Sequence, residues 1–251
     1  MSTSRFDRGK RGLIWGEPAP GERKPKFTRE QIANVAIEIA DKEGFDAVSM
    51  RRIADELGAG TMTLYHYVRT KEDLMALMDD QLTASILVPP EQMPTNWRAA
   101  LHLIAVSSYR AFMRHPWALG NLKGVRFGPN AMRHVEQSLA AVADAPFDQQ
   151  GRIDALGIVD DYVFGHVMRV VENTEQEGMS GVRPMRALIK FAEQMIATGD
   201  FPHMEKMVSK GPRDQAWETF GRFMNDPGRF LRGLDVILDG LEARAQTKKS
   251  R

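Results

Sequence analysis

Between Arg51 and Lys71 the chain gathers side chains that can donate hydrogen bonds to a nucleic acid. These are Arg51, Arg52, Thr61, Thr63, Tyr65, His66, Tyr67 and Lys71. Hydroxyls of threonine and tyrosine and the ammonium of lysine are competent donors to phosphate oxygens. Their spacing has a pattern. Leu64 and Val68 stand four apart and turn inward, opposite Ile53 and Leu57. That leaves Thr61, Met62, Thr63, Tyr65, His66, Tyr67 and Lys71 on or near an outer face. The run SMRRIADELGAGTMTLYHYVRTKEDL, Ser49 to Leu74, reads as two short helices joined by a tight Gly58-Ala59-Gly60 turn. A helix-turn-helix of this kind presents one helix end to the major groove of DNA.

The elements that must position these residues carry clear start and stop signals. Thr28 caps a first helix, with Gln31 completing a capping box and Phe27 and Ile32 forming a hydrophobic staple. Ile32, Val35, Ala36 and Ile39 mark its apolar stripe. Gly44 suits the left-handed residue that ends it, with Phe45 able to fold back. Ser49 caps a second helix, stapled by Val48 and Ile53, and Thr70 with Asp73 caps a fourth.

Residues 27–74 resemble the DNA-binding domain of the tetracycline-repressor (TetR/AcrR) family. The resemblance is carried by Phe27, Ala36, Gly44, Ser49, Ile53, Ala54, Leu57, Gly58, the run Thr63-Leu64-Tyr65, Lys71, Glu72 and Leu74. It implies phosphate contacts for Thr63, Tyr65, Tyr67 and Lys71, and positions against base edges for Thr61, Met62 and His66. Arg51 matches the position where the founding repressors read guanine, and arginine can pair bidentately with guanine O6 and N7. Gly60 stands where many relatives carry a capping residue, and Met62 replaces a commoner glycine or proline. The operator sequence of a relative is therefore not transferable.

Charge placement agrees with a DNA partner. Residues 1–29 hold 8 basic and 3 acidic side chains, 8 − 3 = +5, whereas the whole chain is +1. A phosphate backbone rewards such local concentration through counterion release. The glycines and prolines of residues 1–26 fit a flexible basic arm, either a solvated tail or an arm that orders in the minor groove.

The rest of the chain reads as helical, at about 71–87, 96–114, 117–122, 129–143, 149–176, 183–198, 202–209, 213–224 and 227–246. No alternating strand and hairpin turn appears, so the expected fold is all-α. It divides into an arm at 1–26, a three-helix DNA-binding domain at 27–74, a larger helical ligand-binding and dimerisation domain at 75–246, and a tail at 247–251. Residues 149–174 are apolar almost all round. The last helix carries Phe230, Leu234, Ile237 and Leu241 as a stripe, with Gly233 and Gly240 beside it. The resemblance implies that these two helices build a homodimer interface, and Tyr162, Gly165, Phe230, Gly233, Ile237, Gly240 and Leu241 are its expected members. It also implies a pocket for a small-molecule inducer. Trp97, His102, Tyr109, Trp117, Phe127, Phe164, His166 and Met168 combine apolar bulk with polar tips, as such a pocket requires, and as a plain core also would.

Other classes find little support. The sequence holds no Cys/His ligand cluster, no H-E-x-x-H, no glycine-rich phosphate loop and no G-x-S-x-G. Asp79-Asp80 and Asp160-Asp161 are adjacent, so on a helix their side chains diverge by about 100°. No catalysis, metal or cofactor is expected. No run of about twenty apolar residues spans a membrane, and the resemblance implies a cytoplasmic location. The expected function is a homodimeric repressor released from a palindromic, double-stranded operator by a small ligand. A constitutive DNA-binding dimer and an all-α interaction module remain alternatives.

Overall fold

The computed structural model describes residues 13–16, 26–121, 127–180, 183–208, 217, 226 and 228–249. Among these residues the regular structure is entirely helical. The helices are α1 (Arg29–Glu43), α2 (Met50–Glu56), α3 (Thr61–Tyr65), α4 (Lys71–Ile86), α5 (Trp97–Arg114), α6 (Trp117–Asn121) and α7 (Pro129–Ala141). They continue with α8 (Gln149–Ser180), α9 (Arg183–Ile196), α10 (Pro202–Val208) and α11 (Arg229–Lys249). α8 runs past its expected end at 176, and the helix expected at 213–224 lies outside the described residues except for Trp217.

The starts follow from local chemistry. The Thr28 hydroxyl accepts from the Gln31 amide while the Gln31 side chain accepts from the Thr28 amide, and Thr70 and Asp73 repeat the arrangement. Ser49 Oγ accepts from the Arg52 amide at 3.1 Å, and Asn96 caps α5 in the same way. Each cap is worth about 1 kcal/mol. Gly44 (φ 88°) ends α1, and Gly58 (φ 59°) turns the chain between α2 and α3. A β-carbon in that region crowds the following carbonyl.

The chain forms two compact units divided between Leu156 and Gly157, inside α8. In the first, α1 packs Ile32, Ala36 and Ile39 against Ile53 of α2, Leu64 of α3 and Leu74 and Leu77 of α4. Farther along α4, Leu82 and Ile86 are also buried. In the second, α8 and α11 carry the core, with Val159, Val163 and Val167 buried on α8 and Phe230, Leu234, Leu238, Leu241 and Ala245 buried on α11. The buried stripe of α11 thus runs through Leu238, and Ile237 is only half-buried. The spacing 230, 234, 238, 241, 245 is the wider core-facing stripe of a packed helix.

One part of the expected arm is not a free tail. Leu13 to Gly16 make a short 3-10 turn whose Ile14 is buried in the core of the first unit, and Trp15 packs against that core.

Candidate functional site

α2, the Gly58 turn and α3 form the helix-turn-helix. The Ile53 and Leu64 side chains are fully buried and fix the two helices against each other and against α1. Arg51, Met62, Tyr65, His66 and Lys71 project into solvent, and Thr61 and Thr63 are half-buried. Met62 is 74% exposed at the tip of α3, an apolar side chain suited to a thymine methyl. Lys71 occupies the first position of α4, where the helix dipole disfavours a cation. Its ammonium lies 5.8 Å from the centre of the Phe45 ring.

Tyr67 departs from expectation. It is 4% exposed, stacks edge-on against Phe27 at 6.3 Å, and its hydroxyl accepts from the Phe27 amide. α3 stops at Tyr65, so the helical phase that turned Tyr67 outward no longer applies there. Tyr67 belongs to the core of the domain.

The two neighbouring arginines are divided in role by their partners. Arg52 donates from Nε and Nη2 to Glu43 and from Nη1 to Glu56, with closest distances of 2.7 Å. These hydrogen bonds hold the Glu43 carboxyl below the ordinary carboxylate range. Among the described residues Arg51 is exposed and makes no ion pair. The clamp ties α2 to the end of α1. Glu56 lies four residues beyond Arg52 and is legible as a helix pair; Glu43, nine residues before it, is not.

Further contacts carried no sequence signal. Asp41 of α1 accepts from Trp117 Nε1 at 2.7 Å and pairs with His115 Nδ1 at 2.8 Å. The Trp117 ring also stacks on Phe45 at 5.7 Å. Trp117 therefore faces the DNA-binding helices and not an inducer pocket, and His115 shares its Asp41 partner. Asp80 of α4 is buried and caps α7, accepting from the Asn130 and Ala131 amides at 2.9 and 3.1 Å and from the Asn130 side chain. A carboxylate there also meets the positive end of the helix dipole. Farther along α7, Gln137 accepts from the Val88 amide and its Nε2 lies 3.1 Å from His134 Nδ1.

Of the remaining expected pocket residues, Trp97, His102, Tyr109 and Phe127 belong to the first unit and Phe164, His166 and Met168 to the second. Trp97 packs edge-on against Phe147, and His102 and Tyr109 are half-buried on α5. Phe127 is exposed, as are Phe164 and Met168 on one face of α8. His166 points the other way and is 7% exposed between Tyr162 and Phe230, with Arg169 Nη2 3.4 Å from its Nδ1. Burial, then Arg169 and Arg229, lower its pKa from the ordinary 6.5. It is a core histidine. A groove of about 310 Å³ between α1, α4 and His115 contains none of the eight.

The expected dimer residues also divide. Tyr162 donates its hydroxyl to the Phe230 carbonyl at 2.9 Å and stacks on the Phe230 ring at 5.5 Å. A β-carbon on Gly233 would strike the Tyr162 hydroxyl. Tyr162, Phe230, Gly233 and Leu241 thus serve packing within the chain. Gly165 and Gly240 are exposed with open space around them, and Leu231 and Val236 add exposed apolar area to α11.

Two family models match the chain. "Bacterial regulatory proteins, tetR family" covers residues 32–78, and "Tetracyclin repressor-like, C-terminal domain" covers residues 89–245. The chain belongs to the tetracycline-repressor family. Within that family it is similar to the HTH-type transcriptional repressor DrrR1 of Streptomyces coeruleorubidus, at 34% identity over 92% of this chain and 83% of the relative. Its fold matches apo ActR of Streptomyces coelicolor with a TM-score of 0.65 at 26% identity, over 90% of this chain and 100% of ActR. ActR in complex with actinorhodin matches equally, with a TM-score of 0.65 at 26% identity over 87% and 98%. The relatives of this tetracycline-repressor family member are transcriptional regulators, and among the described residues no helix is long and apolar enough to cross a membrane.

Proposed function

We propose that this protein is a homodimeric, cytoplasmic repressor that binds a palindromic operator and leaves it when a small molecule enters its C-terminal domain. The observation that carries the reading is the outer face of the helix-turn-helix. Arg51, Met62, Tyr65, His66 and Lys71 are all exposed there, over a buried core, with Arg52 ion-paired and Arg51 in no ion pair among the described residues. Arg51 reads a guanine, Thr61, Met62 and His66 lie on base edges, and Thr63, Tyr65 and Lys71 hold phosphates. Tyr67 keeps those donors in place from within. Two copies are needed because one short recognition helix covers only a half-site. The exposed faces of α8 and α11 around Gly165, Ile237 and Gly240 supply the pairing surface. Binding of actinorhodin by ActR supports a ligand-responsive domain here, with Trp97, His102, Tyr109, Phe127, Phe164 and Met168 as its candidate lining. Release then follows from a ligand that prefers the conformation whose recognition helices are out of register, a tenfold effect needing about 1.4 kcal/mol.

The test is selection of bound fragments from genomic DNA, with Arg51→Ala alongside. A recovered palindrome is expected, and Arg51→Ala should weaken binding to it by about 1–3 kcal/mol and relax one base position. Equal losses on operator and random DNA would remove Arg51 as a reader.

A further inference from the structure

We propose that Trp15 is a positioning residue for operator binding, because residues 13–16 strap the helix-turn-helix core to the start of α7. The proposal rests on the operator-binding reading above. Ile14 is 5% exposed and sits in the same buried cluster as Phe27, Ile32, Leu64 and Tyr67. Arg29 secures it with one guanidinium, donating from Nη1 to the Ile14 carbonyl at 2.8 Å and from Nε to the Tyr67 carbonyl at 3.2 Å. The segment that leaves α3 and the strap are thereby held by the same side chain.

The next residue, itself packed against that core, also reaches the start of α7. The Trp15 indole lies 2.7 Å from where a β-carbon on Gly128 would stand, and the Asp80 carboxylate bounds the same space. Gly128 is buried and immediately precedes α7, whose first amides Asp80 caps. One short turn therefore touches the DNA-binding core at Ile14 and the α4–α7 corner at Trp15. Glycine at 128 leaves room for both the carboxylate and the indole.

Such a strap ties the helix-turn-helix core to the α4–α7 corner within the first unit, and so restricts how the reading helices sit on α4. A dimer that reads two half-sites must hold both recognition helices at one separation, and freedom lost in advance is not lost on binding. Attachment to random DNA depends mainly on phosphate charge and makes little use of that pose. Loosening the strap lowers operator affinity more than random-DNA affinity.

The experiment compares full-length wild type, Trp15→Ala, Trp15→Phe, Gly128→Ala and Arg51→Ala on the selected operator and on a random duplex at one salt concentration, with Tm for each. Trp15→Ala and Gly128→Ala should lower the operator-to-random affinity ratio about tenfold, with random-duplex Kd unchanged. Trp15→Phe should restore most of the ratio. An unaltered ratio in both Trp15→Ala and Gly128→Ala, whatever happens to Tm, overturns the proposal and leaves the strap a purely stabilising element. If wild type and Arg51→Ala alike prefer no sequence, the operator reading itself fails and the strap proposal falls with it. Wild-type selectivity that only Arg51→Ala abolishes rejects the strap alone.

Discussion

The turn of the helix-turn-helix and the pairing of α8 with α11 both depend on glycine, for unlike reasons. Gly58 has a φ of 59° and nothing within 4 Å of where its β-carbon would stand, so conformation and not space requires it. Gly233 lies inside a regular helix, where its backbone needs no glycine, but the Tyr162 ring rests on it. A conformational glycine announces itself in the local sequence, because a turn must fall between two capped helices. A spatial glycine signals only that something comes close. Here the approaching group is a tyrosine of the same chain, at a place where the sequence suggested a second subunit.

Substitutions can break that distinction. Gly233→Ala should have the largest effect, driving its methyl into Tyr162 and lowering stability by about 1–3 kcal/mol, as overpacking does. A thermal melt reads it, and an unchanged Tm would mean that the Tyr162 ring yields without cost. Gly58→Ala should cost about 1 kcal/mol through backbone strain, and Gly58→Asn less, because asparagine tolerates the left-handed region. Equal melting of the two variants would show that strain is not what the turn avoids. Gly240→Ala should act in the opposite sense. With open space around it on an exposed helix, alanine should stabilise the folded chain by about 0.5–1 kcal/mol. If a partner helix seats there, sedimentation of the same variant should show a weaker dimer, and an unaffected dimer would move the interface elsewhere.

The smallest effect concerns protons. Burial lowers the pKa of His134, and burial with Arg169 and Arg229 lowers that of His166, both from 6.5. Above that value both histidines are neutral folded and unfolded, and their neutral packing is fully favourable. As pH falls below 6.5 the unfolded chain takes up protons that the folded chain resists, so stability declines until the depressed folded values are passed. Melts of wild type and His166→Gln at pH 7.5 and 5.5 should show a less acid-sensitive Tm in the variant. A variant that is more acid-sensitive than wild type contradicts the stated direction.

The legible parts of this protein are those governed by a few adjacent residues. Thr28 with Gln31, Ser49, Thr70 with Asp73, and the glycines at 44 and 58 placed the first four helices, and the inward turn of Ile53, Leu64 and Val68 left the outer face to Arg51, Met62, Tyr65, His66 and Lys71. Tyr67 failed because α3 is shorter than its apolar spacing suggests, and beyond a helix end the period of 3.6 has no meaning. The buried stripe of α11 takes Leu238 in place of Ile237, since the two satisfy an apolar stripe about equally in sequence. Trp117 and His115 were illegible for a different reason. Their partner, Asp41, is more than seventy residues away, and no local pattern encodes such a distance. The aromatic residues proposed for a pocket carry the same composition whether they line a cavity or fill a core.

The Asp41 contact matters for anyone who would exchange heads between repressors to build sensors with new promoters. A graft joined at residue 74 takes Asp41 and Phe45 from one parent and His115 and Trp117 from the other. The indole that stacks on Phe45 and donates to Asp41 must then find equivalents in a foreign surface. Matching those four side chains across the joint, as well as the seam itself, is the design rule this corner dictates.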